Sequence, residues 1–126
     1  MPRMKQVLII DDEPIMRKLL EQILKEKYEV ISLENGREGL EWMYSGNIPD
    51  LVVADLNMPE INGFEYIKKV RESGFFSDVP LIVLSGEESS AERIKCLKLG
   101  ANDYLIKPFN PEELGLRIDN LISLRS

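Results

Sequence analysis

Val7-Leu8-Ile9-Ile10-Asp11-Asp12 is a run of four apolar residues closed by two aspartates, and the chain returns to that arrangement three more times. Leu51-Val52-Val53-Ala54 ends in Asp55, Leu81-Ile82-Val83-Leu84 ends in Ser85, and Tyr104-Leu105-Ile106 ends in Lys107-Pro108. Short continuous apolar runs bounded by polar residues read as strands buried on both faces of a parallel sheet. Parallel strands carry their carboxyl ends to one edge. The four endings are therefore expected to meet there, bringing three carboxylates, one hydroxyl and one ammonium into a single pocket.

The segments between these runs have helical spacing, so strand and helix alternate as in βαβ units. After the first strand, about Gln6 to Ile10, a helix carries Ile15, Leu19 and Ile23 beside Met16, Leu20 and Leu24, two i, i+4 rows read as one apolar stripe. Pro14 suits its first turn, where a missing N–H costs nothing. Tyr28 to Leu33 is interrupted by Glu29 and Ser32 and reads as an exposed edge strand. Asn35 with Glu38 begins a second helix as a capping box. Asn62-Gly63 opens a third helix with Phe64, Ile67 and Val70 inward. A fourth starts near Ser90, carries Ile94 and Leu97, and is closed by Gly100. Asn110-Pro111-Glu112-Glu113 opens the last helix, with Leu114, Ile118 and Leu121-Ile122 inward.

Composition narrows the chemistry. The 126 residues suit one domain, and apolar residues make up 44%. A formal charge of −6, with no long basic block, argues against direct nucleic-acid binding. No apolar run approaches the roughly 20 residues of a membrane span, and nothing at Met1-Pro2-Arg3-Met4-Lys5 resembles a signal peptide. The single Cys96 excludes an internal disulfide and fits a reducing cytoplasm. It reads as a small hydrophobe on a helix. The absence of histidine excludes Ser-His-Asp catalysis, histidine-based zinc sites and a phosphohistidine on this chain.

What remains is carboxylate, hydroxyl, lysine and hard-metal chemistry. Asp11, Asp12 and Asp55 in one pocket repel one another, and a magnesium ion, which prefers oxygen ligands, removes that cost. Asp55 can then attack phosphorus and carry an acyl phosphate. Lys107 suits one phosphate oxygen, the Ser85 hydroxyl another, and backbone N–H groups after Asp55 and near Gly86 can add to the cradle. Taken singly, each residue has a plainer reading. Asp12 is a candidate cap for the first helix, Asp55 a loop carboxylate, Ser85 a turn residue and Lys107 a surface lysine.

Taken together, these stretches resemble the receiver domain of two-component response regulators. The resemblance rests on Val7 to Glu13, on Asp55-Leu56-Asn57-Met58-Pro59 with Asn62-Gly63, on Leu84-Ser85-Gly86, and on Gly100 to Phe109. It implies a flavodoxin-like (βα)5 fold, a doubly wound parallel five-stranded sheet of order 2-1-3-4-5. It covers residues 1–126 as one domain, with no effector domain after Arg125-Ser126. By that resemblance Asp55 accepts phosphate from a phosphohistidine on a partner kinase or phosphotransfer protein. Asp11, Asp12 and Asp55 hold magnesium, with the backbone carbonyl of Asn57 as a further ligand. Ser85, Gly86 and Lys107 bind the phosphoryl group. Tyr104 is the aromatic switch that moves inward as Ser85 moves toward the phosphate. The only catalysis implied is of the domain's own phosphorylation and dephosphorylation. The output surface is the fourth helix, fifth strand and fifth helix, which also offers a face for a homodimer.

Departures from the family pattern are small. Ser85 stands where threonine is commoner, Gly86 where alanine is frequent, and Asn62 where aspartate is commoner, and none removes a reacting group. Asn57 and Glu87 lie two positions beyond Asp55 and Ser85, and as polar residues there they are expected to admit water and keep the phosphoryl lifetime short. The alternative is a phosphohydrolase of the haloacid dehalogenase type. It is weakened by Asp55-Leu56-Asn57, which lacks the second aspartate of that family's Asp-x-Asp. A phosphate-independent interaction module is weakened by the intact Asp55, Ser85 and Lys107.

Overall fold

The computed structural model describes residues 3–86 and 88–125, the last through its backbone alone. Strands and helices alternate: β1 Gln6–Ile10, α1 Pro14–Leu24, β2 Glu29–Leu33, α2 Gly36–Tyr44, β3 Leu51–Asp55, α3 Gly63–Glu72, β4 Leu81–Ser85, α4 Ser90–Leu99, β5 Asp103–Ile106 and α5 Pro111–Arg125. The strands form one parallel sheet in the order β2-β1-β3-β4-β5, as the sequence predicts. β2 is indeed an edge strand, exposed at Glu29 and half-buried beyond it.

Side-chain alternation divides the core between the two faces of the sheet. Leu8, Ile10, Val52, Ala54, Leu81 and Val83 face α2, α3 and α4. Val7, Ile9, Leu51, Val53, Ile82 and Leu84 face α1 and α5. Continuous apolar strands are the consequence, because neither face meets water.

Asn35 caps α2, its Oδ1 accepting the Glu38 N–H at 2.9 Å, but the Glu38 carboxylate accepts from the Glu34 N–H rather than from Asn35, so the expected capping box is half formed. Asn62 and Glu65 form a full capping box, and Asn110 Oδ1 accepts from both Glu112 and Glu113. Gly63 lets α3 start against the loop after β3, since a Cβ there would stand 2.7 Å from the Leu56 Cα. Gly100 ends α4 with φ of 116°, a left-handed conformation that favours glycine.

Two apolar expectations are corrected. On α1, Leu20 and Leu24 are buried, but Ile15 is 85% exposed and Leu19 42% exposed. Successive residues are separated by about 100° around a helix, so Ile15 and Leu19 sit one step round from Met16 and Leu20, beyond the arc that meets the sheet. On α4, Ile94 and Leu97 face outward and Cys96 is fully buried. The inward row of α4 is Glu92, Cys96 and Leu99, and it begins with a carboxylate.

Cys96 confirms its plain reading. Burial pushes its thiol up to about 11, with the nearby Glu92 carboxylate adding to the shift. A thiol reagent at pH 8 is expected to leave the native protein unmodified and to label one thiol in denaturant. Native labelling at the rate of a free thiol would contradict this placement.

Arg71 is a staple that composition does not reveal. From α3 its guanidinium donates to the carbonyls of Gly100 (2.9 Å), Ser77 (3.1 Å) and Val79 (2.7 Å) and to Asn102 Oδ1 (3.0 Å). It ties the loop before β4 and the loop before β5 to one helix. Arg71→Ala is expected to lower unfolding free energy by about 1–2 kcal/mol in urea titration, because the carbonyls regain water only in part. An unchanged midpoint would show the staple to be idle.

Candidate functional site

The carboxyl ends of β1, β3, β4 and β5 meet as the sequence predicts. Asp55, paired with Leu84 across the ladder, closes β3, and Ser85 closes β4 paired with Ile106, the residue before Lys107. The Lys107 N–H donates to the Ser85 carbonyl at 2.7 Å, and the Lys107-Pro108 peptide is cis.

Asp11, Asp12, Glu13 and Asp55 each offer a carboxylate oxygen, and these oxygens lie within 4.8 Å of one another. Asp11 and Asp55 are buried, while Asp12 and Glu13 are exposed. Lys107 answers this charge. Its Nζ is 3.2 Å from Asp11 Oδ2, 3.4 Å from Asp55 Oδ1 and 3.6 Å from Glu13 Oε1. The Asn57 N–H reaches Asp55 Oδ1 at 3.4 Å. Among the described residues, these polar contacts to Asp55 fall on Oδ1.

The charges set the proton affinities. Asp55 is pushed up to about 6, first by burial. Lys107 works against that shift and Asp11 adds to it. Lys107 is itself held above its usual value. Burial opposes its charge, but the Asp55 and Asp11 carboxylates outweigh that. Four clustered carboxylates with hard oxygen donors, one of them driven upward by its neighbours and burial, fit a small divalent cation.

Asp12 does not cap α1. The N-cap is Glu13, with no side-chain capping bond, and the Glu13 N–H is taken by Asp11 Oδ1 at 2.9 Å. The Asp11 carbonyl accepts from Arg17 Nη1 at 2.7 Å. The turn is thus held by Asp11, and Asp12 remains exposed in the acidic cluster.

Ser85 and Tyr104 are both buried beneath α4. The Ser85 hydroxyl donates to Glu92 Oε1 at 2.6 Å, and the Tyr104 hydroxyl donates to the same oxygen at 2.8 Å. Burial raises the Tyr104 phenol to about 12. The adjacent Ser85 hydroxyl pulls it back and Glu92 adds to the rise. Tyr104 is more deeply buried than a half-covered strand aromatic. Gly86 is exposed beside Ser85. Glu87, expected to tune phosphoryl lifetime, lies outside the described residues.

Sequence reading missed Glu13 and Glu92. Glu13 adjoins Asp12 and was open to view as a third acid in the row. Glu92 could be found only from the i, i+4 relation to Cys96, once Cys96 is placed inward.

Residues 7–119 match the family model described as the response regulator receiver domain. The chain is 40% identical over 120 residues to the sensor histidine kinase TmoS of Ectopseudomonas mendocina, covering 95% of this chain and 12% of that protein. It is 40% identical over 119 residues to ycf27 of Porphyridium aerugineum, a protein named a probable transcriptional regulator, covering 94% of this chain and 48% of that one. It therefore spans less than half the length of either relative. Among solved structures, the receiver domain of Francisella response regulator 1452 superposes with a TM-score of 0.89 at 29% identity, covering 97% of this chain and 99% of that one.

Proposed function

The chain belongs to the response regulator receiver domain family, which serves phosphorelay signalling, and from that premise we propose how its own residues work as the switch. Asp55 is the phosphoacceptor. The observation that carries this is a carboxylate buried at the end of a central strand, between the Lys107 ammonium and an acidic cluster. With its pKa at about 6, Asp55 is mostly ionised at pH 7.5 and able to act as a nucleophile.

Its Oδ2, which carries none of the contacts described above, attacks the phosphorus of a phosphohistidine on a partner. The new O–P bond forms as the P–N bond breaks, and the leaving imidazole nitrogen keeps the electron pair and takes a proton. Lys107, already 3.4 Å from Asp55, holds a phosphoryl oxygen. The Ser85 hydroxyl and the Gly86 N–H hold others. Asp11, Asp12 and Asp55, with the Asn57 carbonyl, would hold magnesium, and Glu13 stands in the same cluster. When bound, magnesium neutralises charge gathering on the phosphoryl oxygens.

Phosphorylation then moves Ser85 toward Asp55, and Tyr104 follows. Asn57 and Glu87 admit the water that ends the signal. The domain acts on no other substrate. A sensor histidine kinase or phosphotransfer protein supplies the phosphoryl group, and an effector or fused output domain reads it, in a cytoplasmic setting. The α4-β5-α5 face serves as output surface and as the seam of a homodimer, supported by Ile94 and Leu97 standing exposed on α4. The charge of −6 disfavours direct nucleic-acid contact by this domain.

Borohydride reduction tests the acceptor. It converts an aspartyl phosphate to homoserine, so treatment after exposure to a phosphodonor is expected to place homoserine at position 55. Homoserine elsewhere, with none at 55, would contradict the assignment.

A further inference from the structure

We propose that Glu92 is the positioning residue that sets the switch, holding the Ser85 hydroxyl away from the phosphoryl site until Asp55 is occupied. This rests on Asp55 being the acceptor and Ser85 a phosphoryl ligand.

Both hydroxyls at Glu92 Oε1 donate to it, and the carboxylate oxygen accepts. The bonds are 2.6 Å from Ser85 and 2.8 Å from Tyr104, both on one oxygen. A serine hydroxyl has one proton. While Ser85 gives it to Glu92, it cannot give it to a phosphoryl oxygen on Asp55. The two acceptors, carboxylate and phosphoryl, compete for one donor.

The fold makes Glu92 a fixed competitor. Glu92 lies in the first turn of α4, where its backbone N–H is taken by the Ser89 hydroxyl at 3.2 Å. Cys96, one helical turn on, is fully buried. The carboxylate is thus on the inward row of α4, half-buried, and its bonds to the two hydroxyls hold it there. Losing Ser85 leaves Glu92 with Tyr104, so occupancy of Asp55 is felt on α4 through this carboxylate.

The resting state is therefore stabilised by a charge-assisted bond that the phosphorylated state gives up. Removing it should shift the balance toward the phosphoryl-bound state. The test uses beryllofluoride, a phosphoryl mimic, with magnesium, and reads bound mimic by fluorine NMR across a titration. Glu92→Ala is expected to bind it about tenfold more tightly than the wild type, and Glu92→Gln, which keeps a neutral acceptor, about threefold more tightly. In a Ser85→Ala background the gain should vanish, because no hydroxyl is left to compete for. Thermal melting confirms that each variant is folded, and the glutamine variant carries the test should the alanine variant unfold.

Unchanged or weaker binding in a folded Glu92 variant would overturn the latch. So would an equal gain with and without Ser85, which marks a general loosening of α4. Absence of any magnesium-dependent binding by the wild type would overturn the acceptor reading and the latch with it. Wild-type binding with no response at position 92 would overturn the latch alone.

Discussion

Lys107→Ala is expected to slow phosphorylation of Asp55 by a small phosphodonor about 100-fold or more, with the fold intact. Lys107 is the one cation in contact with both buried carboxylates, 3.2 Å from Asp11 and 3.4 Å from Asp55 among the described residues, and its side chain is only 15% exposed. Its charge is therefore fixed in place before the donor arrives, and no reorganisation is needed as charge gathers on the phosphoryl oxygens. Removing it also leaves Asp55 beside Asp11 without their shared counter-ion. That drives the Asp55 pKa further up and thins the nucleophilic carboxylate at a given pH. Lys107→Arg keeps the charge but replaces a point ammonium with a wide planar fork, and is expected to recover only part of the rate. The initial rate of phosphate-adduct formation, followed by mass, checks this. A rate within threefold of wild type in the alanine variant would remove Lys107 from the machinery.

Asp55→Asn is expected to stabilise the metal-free fold by about 2–3 kcal/mol at pH 7.5 and by almost nothing at pH 3.5. The folded-state pKa of Asp55 is raised from 3.8 to about 6, chiefly by burial. A raised pKa means the native state holds this proton more tightly than the unfolded chain. The stability it confers is fully present below about pH 4 and is lost as pH rises through about 6. Each pKa unit is worth about 1.4 kcal/mol, which gives the scale. Asparagine fills the same space, has no charge to bury, and leaves Lys107 paired with Asp11. Urea titrations of the two proteins across this pH range, without divalent metal, should diverge as pH rises. If Asp55 is a magnesium ligand as proposed, magnesium should narrow the gap by stabilising the wild type through a carboxylate that the variant lacks. A gap that is constant with pH would show that charge burial is not its cause.

Much of this was legible in the sequence because polar residues interrupt the apolar pattern only where strands end. Val7 to Asp12 and Leu51 to Asp55 announce both a buried strand and the side chain it delivers, so fold and site came from one reading. The helices were less legible. On α1, six apolar residues spread over more of the circumference than the sheet covers, and periodicity alone could not say that Ile15 and Leu19 would be left outside. On α4 the outward Ile94 and Leu97 look like a core face, whereas the real inward row opens with Glu92. A carboxylate followed by Arg93 reads as solvated surface until a hydroxyl on each of two strands is found to need an acceptor there. Arg71 was hidden for a similar reason: most of its partners among the described residues are backbone carbonyls, which carry no sequence signature.

The most direct test of the account is intact mass after incubation with acetyl phosphate, with and without magnesium, beside Asp55→Ala. The account predicts one phosphate adduct on the wild type, dependent on magnesium and absent from the variant. An adduct that persists in Asp55→Ala, or forms equally well without a divalent ion, would contradict it.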